Sequence, residues 1–218
     1  MADKSVILHH QSDSIMARTL LPTCSIIFFL LASFSSISQE WEFAKEKDGI
    51  QVYTRDEPGT NYKAFRGEVD LKATLVDVSN MVEDVEQFDV WDEDVTEIRV
   101  LEQDTGRMLK YYVIYDVPWP FTDRDLCVEA RFSTDPETGA RLLQAKSIAS
   151  AVPLNKDYVR IVNYWQKWII QPMEDGLIHL TVEGYADPAG DIPAWVANMA
   201  ITDTPLNMLG AIREELAK

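Results

Sequence analysis

Cysteine and histidine are almost missing from this chain, with two cysteines, Cys24 and Cys127, and three histidines among 218 residues. A structural zinc site needs about four thiolate or imidazole ligands, so no zinc site is expected, and neither is any other metal or cofactor. Positive charge is scarce as well. Twenty Lys and Arg stand against 36 Asp and Glu, for a formal net charge of −16, which repels phosphate backbones and anionic head groups and excludes nucleic acid as a partner. No internal repeat, low-complexity tract or glycine-rich phosphate loop is present, and no nucleophile sits at motif spacing from a base, so no catalytic residue is assigned. Only one long apolar run occurs, Leu20 to Ala32.

That run, "LLPTCSIIFFLLA", is preceded by Arg18 and followed by "SFSSISQEW", where Ser36 and Ser38 are small residues of the kind a signal peptidase accepts. It is short for a membrane span and contains Pro22. The expectation is therefore a cleaved signal peptide within an N-terminal extension of residues 1–38, Met16 offering an ordinary signal start. An uncleaved anchor helix is the alternative. A mature domain of residues 39–218 would be exported, to the periplasm or the medium. Asp3, Lys4, Asp13 and Arg18 cancel, so the negative charge stays on that domain, and Cys127 is left without an intrachain disulfide partner.

Beyond residue 39 the hydrophobic pattern has two periods. "DGIQVYTRD" and "NYKAFRGEVDL" alternate as strands, with Ile50, Val52 and Thr54, then Phe65, Gly67, Val69 and Leu71, on one side. Leu75, Val78, Val82 and Val85 recur at helical spacing, and Phe88 and Trp91 suggest a further short helix or turn. Three hairpins follow, turning at Asp104–Gly106, Pro136–Gly139 and Glu174–Gly176. Asp191 as N-cap and Pro193 in the first turn open a long C-terminal helix, expected to kink at Pro205. A strongly curved antiparallel sheet buries its inner face only by wrapping around something, and one amphipathic helix cannot fill it. The expected fold class is α+β, a curved antiparallel sheet wrapped around a long C-terminal helix with an internal hydrophobic cavity.

Four fragments in this order resemble the START (steroidogenic-acute-regulatory-related lipid transfer) domains of the helix-grip superfamily. They are "WEFAKEKDGIQVYTRD", "VEDVEQFDVWDEDVTEIRVLE", "PWPFTDRD" and "DPAGDIPAWVANMAITDTPLNMLGAIRE", and the likeness spans about Trp41 to Lys218. The resemblance implies a hydrophobic tunnel holding one lipid or sterol-sized molecule, closed by the terminal helix and two loops. Those entrance loops would carry Trp119 and Phe121 in "PWPFTDRD", and Val152 and Leu154 in "ASAVPLNKD", with Arg124 and Asp125 pinning the first loop.

Alternation on the meander strands turns Tyr111, Val113 and Tyr115, and Val128, Ala130 and Phe132, toward that tunnel. Phe65, Trp91, Leu180 and Val182 are further lining candidates, and Trp195, Met199 and Leu206 are expected on the buried stripe of the terminal helix. Tyr164 and Trp168 alternate with Arg160 and Val162, so Arg160 is a candidate contact for a polar ligand group if that face is inward, and a structural or exposed residue otherwise. Lining tyrosines without a buried charge argue against recognition of a phospholipid head group. His179 and the acidic run "VEDVEQFDVWDEDV" are expected on the surface. Three functional readings stand. The first is a non-enzymatic, monomeric lipid-binding or lipid-transfer protein of a bacterial envelope, touching a membrane transiently. The second is an aromatase/cyclase-type enzyme acting on a polyketide-like substrate, with Arg160 and Tyr111 or Tyr115 as actors. The third is an interaction scaffold with a filled interior.

Overall fold

The chain is described by a computed structural model that covers residues 40–85, 88 and 92–218. Trp91 and the N-terminal segment lie outside the described residues. In chain order these form β1 (Glu42–Lys47), β2 (Ile50–Asp56), β3 (Lys63–Leu71), α1 (Leu75–Glu83), β4 (Val95–Asp104), β5 (Met108–Tyr115), β6 (Arg124–Thr134), β7 (Arg141–Ser147), β8 (Val159–Arg160), β9 (Tyr164–Pro172), β10 (Ile178–Ala186), α2 (Ala194–Ala200) and α3 (Asp203–Leu216). One sheet contains all ten strands in the order β1-β2-β3-β10-β9-β7-β6-β5-β4, with the two-residue β8 pairing β6 in parallel. The fold is α+β, a curved antiparallel sheet with α1 and α3 packed on its inner face.

Strand alternation sets the two faces. Ile50, Val52 and Thr54 of β2 are buried, as are Phe65, Val69 and Leu71 of β3, while the intervening residues reach solvent or ion pairs. The register aligns rows of inward residues across the sheet. Phe132, Leu143, Trp168, Val182, Gly67 and Val52 make one row, and Leu109, Ala130, Ala145, Gln166, Gly184 and Phe65 the next. Glycine is required at one point in each. A Cβ on Gly67 would lie 2.7 Å from Pro205 Cβ and 2.8 Å from Leu209 Cδ1, and one on Gly184 would lie 2.6 Å from the Phe65 ring. The missing side chains let α3 and the Phe65 ring approach the backbone directly.

Helix α1 starts where Thr74 caps it. The Thr74 hydroxyl accepts from the Asp77 N–H at 3.2 Å and the Thr74 N–H donates to the Asp77 carboxylate at 3.3 Å, a reciprocal capping box. Val78 and Val82 face the core as their spacing predicts, and Met81 joins them. The three hairpins turn where the glycines place them.

The C-terminal segment departs from expectation. It is not one kinked helix but two, with Ile201 and Thr202 between them. Pro205 occupies the first turn of α3, where no intrahelical N–H donor is needed, so it starts a helix instead of bending one. The break also dephases the apolar stripe. Leu209 and Ile212 of α3 are wholly buried and Met208 nearly so, whereas α2 buries no residue, and Trp195 and Met199 are 68% and 71% exposed. Their assignment to the core is corrected accordingly. Among the described residues no helix is long and apolar enough to cross a membrane.

Candidate ligand-binding interior and its entrance loops

Tyrosine hydroxyls converge over the middle of the concave face. Tyr111 on β5 pairs in register with Val128 on β6, which pairs with Ser147 on β7, and Tyr164 on β9 continues that row one residue past the Lys146–Trp165 pair. Three strand spacings amount to about 14 Å along a sheet. The Tyr111 and Tyr164 phenols nonetheless act on each other, so the sheet curls enough to bring the two side chains near one another across its hollow. Tyr164 Oη also donates to Gln166 Oε1 at 3.2 Å, and Trp168 Nε1 donates to the same oxygen at 3.0 Å. Beneath them the central strands carry small inward residues, Val128, Ala130 and Ala145.

Tyr115 and Tyr164 keep part of their surface accessible, yet burial pushes both phenols well above the ordinary tyrosine range, as it does that of Tyr111. Burial disfavours the charged phenolate, which is the direction of each shift. Tyr111, Val113, Val128, Ala130, Trp168, Leu180, Val182 and Phe65 are buried in the main hydrophobic cluster, and Tyr115, Phe132, Tyr164 and Leu206 pack against it. The inward face read from alternation and the inward face of the structure thus coincide for these residues.

Two expected lining residues belong elsewhere. Val162 is 48% exposed, because β8 ends at Arg160 and the chain turns before β9 starts at Tyr164, which breaks the alternation. Arg160 is on the opposite face of the sheet from Tyr111 and takes the structural alternative. Its Nε and Nη2 donate to Asp125 Oδ1 and Oδ2, both at 2.7 Å, and its remaining donors reach the carbonyls of Ala149, Val152 and Pro153 at 2.9 to 3.4 Å. Tyr112 Oη donates to Asp125 at 3.1 Å. Burial, then that hydrogen bond, pushes the Tyr112 phenol up to about 12, while the bond to Asp125 raises the Arg160 guanidinium. Tyr112, Ile114 and Cys127 form a small outer core under Ile148, Val152 and Tyr158.

Of Arg124 and Asp125, both expected to pin the first loop, only Arg124 holds it. Successive strand residues point to opposite faces, so each binds a different element. Arg124 donates to the Thr122 carbonyl, to Pro188 O at 3.1 Å and to Ala189 O at 3.2 Å. One dipeptide therefore secures both loops: Arg124 holds residues 116–123 and the approach to α2, while Asp125, through Arg160, holds residues 149–153. The signal for Asp125–Arg160 was hidden, because β8 is too short for periodicity to reveal.

At the tips of these loops apolar residues stand in solvent. Trp119 is 92% exposed and Leu154 77%, whereas Phe121 and Val152 are half-buried. Helix α2 is held beside them by bonds to the β2–β3 turn: Tyr62 Oη donates to Ile192 O at 2.9 Å, and the Lys63 N–H to Asn198 Oδ1 at 2.9 Å. Along α3 runs a groove of about 680 Å³, walled by α3 from Leu206 to Glu214, the β1–β2 turn, and Asp92, Glu93 and Asp94. Asp92 went unassigned in the sequence because it sits inside an acidic run that reads as solvated. Burial, with the neighbouring Asp94 charge, pushes its carboxyl up to about 6. His179 lies on the surface and bonds Asp70 across the β3–β10 pair at 2.7 Å. Among the described residues no group of His, Cys, Asp or Glu is placed to hold a metal.

Comparison with known proteins agrees with this geometry. The START domain family model matches residues 30–214. An uncharacterised protein of Pseudomonas aeruginosa is 30% identical over 184 residues, 84% of this chain and 90% of that protein. The phosphatidylcholine transfer protein of Bos taurus is 27% identical over 173 residues, covering 78% of this chain and 80% of that protein. Among solved structures, a fragment of the STAR-related lipid transfer protein of Xanthomonas axonopodis aligns with a TM-score of 0.75 at 32% identity, over 82% of this chain and 99% of that one. Human StAR-related lipid transfer protein 5 shares the fold, with a TM-score of 0.74 at 18% identity over 81% and 86% of the two chains. From residue 30 to residue 214, then, this chain belongs to the START domain family.

Proposed function

We propose that residues 39–218 bind a lipid-sized apolar molecule in the space between the curved sheet and α3, and carry it without chemically altering it. The observation that supports this most is the tyrosine row. Large inward rings from β5 and β9 arch over a floor of Val128, Ala130 and Ala145, and partly accessible yet desolvated phenols face the space so formed. The driving force is transfer of apolar surface out of water, about 0.8 kcal/mol for each methylene buried, reduced by the cost of ordering ligand and loops. The cyclase reading loses its pair of actors, because Arg160 and Tyr111 lie on opposite faces of the sheet.

Export of the domain by the N-terminal segment, and its work as a monomer in the cell envelope, complete the reading. Exposed Trp119 and Leu154 on the loops, with Trp195 and Met199 on α2, would insert into an uncharged membrane surface during loading, since the net charge of −16 disfavours an anionic one. Native mass spectrometry of protein purified from its source should find a co-purifying apolar molecule, and the protein should move a fluorescent lipid between vesicles. Absence of both would overturn the binding reading. N-terminal sequencing of the envelope-fraction protein should begin near Gln39; a start at Met1 or Met16 would refute cleavage.

A further inference from the structure

The chain enters the domain through a clamped tryptophan. Chain ends fray unless something ties them down, yet Trp41, directly before β1, is half-buried. The Arg55 guanidinium lies over its ring at 4.4 Å and the Arg66 guanidinium at 4.7 Å. Arg55 also lies 5.4 Å from the Trp165 ring, and Trp165 Nε1 donates to Glu57 Oε1 at 3.1 Å. Arg66 is fixed in turn by Glu183, to which its Nε and Nη2 donate at 2.9 and 2.6 Å. Two cations over one indole tie the start of β1 to β2 and β3 on the outer face of the sheet.

That clamp stands at the entrance end of the domain. Strand β1 starts where β2 ends, Glu42 pairing with Thr54, and the β2–β3 turn that follows holds α2 through Tyr62 and Asn198. The segment leading into α2 is bound by Arg124, which also holds the Trp119 loop. The other terminus leaves from the far end, since Arg213 of α3 donates to Asp48 O in the β1–β2 turn at 2.6 Å. Length makes the point of entry matter. Residues 33–40, between the apolar run and Trp41, span at most about 29 Å fully extended, whereas a domain of residues 39–218 is about 40 Å across. A tether that short cannot turn the far end toward the surface from which it starts. Without the clamp, β1 is free to peel back to its register shift between Phe43 and Lys45. Residues 33–44 then reach about 43 Å, enough for the domain to turn over.

We propose that the Trp41 clamp orients the chain at a membrane: tethered through its N-terminal apolar run, the domain presents Trp119, Leu154 and α2 to the bilayer and keeps the far hairpin turns away. The proposal rests on the lipid-binding reading in taking that end as the entrance, and it concerns the chain before the N-terminal segment is removed. The test reconstitutes the full-length chain, its N-terminus verified by mass, in phosphatidylcholine liposomes carrying nitroxide-labelled head groups. A bimane label is placed on Leu154→Cys at the entrance or on Glu137→Cys in the exposed β6–β7 turn, in a Cys24→Ser background, Cys127 being buried. Quenching should be at least threefold stronger at position 154. Trp41→Ala should bring that ratio below twofold, and Trp41→Phe, which keeps a ring beneath the two guanidiniums, should restore it. Equal quenching at the two positions, or a ratio that Trp41→Ala leaves unchanged, overturns the proposal. Uptake of a fluorescent lipid by the same samples tests the binding reading separately. Orientation without uptake refutes that reading and leaves the tether standing, and uptake without orientation refutes the tether alone.

Discussion

Around Gly67 the sheet and α3 are packed so closely that a single added carbon would collide with Pro205 and Leu209, and every neighbour is apolar. Around Tyr164 the same sheet presents phenols and an amide over small residues, and the Tyr164 hydroxyl bonds the Gln166 side chain instead of backbone. The first region is finished by the protein itself. The second is polar, curved and partly accessible, and a ligand is what would complete it. Interiors packed to crystal-like density resist change, whereas a polar cluster held in a low dielectric has its charge states and specificity set by what it faces.

Substitutions can test that contrast in order of size. Asp125→Ala leaves the buried Arg160 guanidinium without its partner and frees the 149–153 loop, so about 3–5 kcal/mol of stability should be lost in urea unfolding. A loss under 1 kcal/mol would mean that the pair is not what holds that loop. Leu209→Ala should cost about 3 kcal/mol, the usual range for a fully buried leucine, and lower the melting temperature by roughly 6–12 °C. If Leu209→Ala costs no more than Tyr164→Phe, the distinction between a packed and an open region fails.

Asp92→Asn should work in the other direction. A carboxyl held near 6 in the folded state but near 4 when unfolded takes up protons on folding between those values, so the native state loses stability as pH rises from about 4 to 6 and stays lower above. Removing the charge should therefore stabilise the protein at pH 8 by about 1–2 kcal/mol, with little change at pH 4. A variant equally affected at both pH values would contradict the cause given for the shift. Tyr164→Phe should cost under about 1 kcal/mol, since Gln166 keeps its bond from Trp168. The smallest effect belongs to Trp119→Ser, within about 0.5 kcal/mol for an exposed site, while flotation with phosphatidylcholine vesicles should fall. Unchanged flotation would remove Trp119 from the membrane-contact surface.

Legibility in the sequence followed the length and regularity of each element. Strands β2, β3, β5, β6 and β10 alternate long enough for their inward residues to be read off, and the turn glycines mark the hairpins. Parity failed where an element is too short to establish a period. Two-residue β8 concealed the Asp125–Arg160 pair and put Val162 on the wrong face. The helical stripe failed for a related reason: the break at Ile201–Thr202 resets the phase, so Trp195 and Met199 fall out of register with Leu209 and Ile212.

By itself, the sequence determined the acidic balance, the order of strands and helices, which residues of each long strand share a face, and the loops that carry exposed aromatics. Those properties follow from local periodicity and composition, which need no knowledge of distant neighbours. Tertiary structure alone decided that Tyr111 and Tyr164 approach across the hollow, and that Arg124 and Asp125 bind separate loops. Each of these depends on how far the sheet curls and where α3 lies on it, and sheet curvature is a sum of twists over many strands that no single stretch of chain encodes.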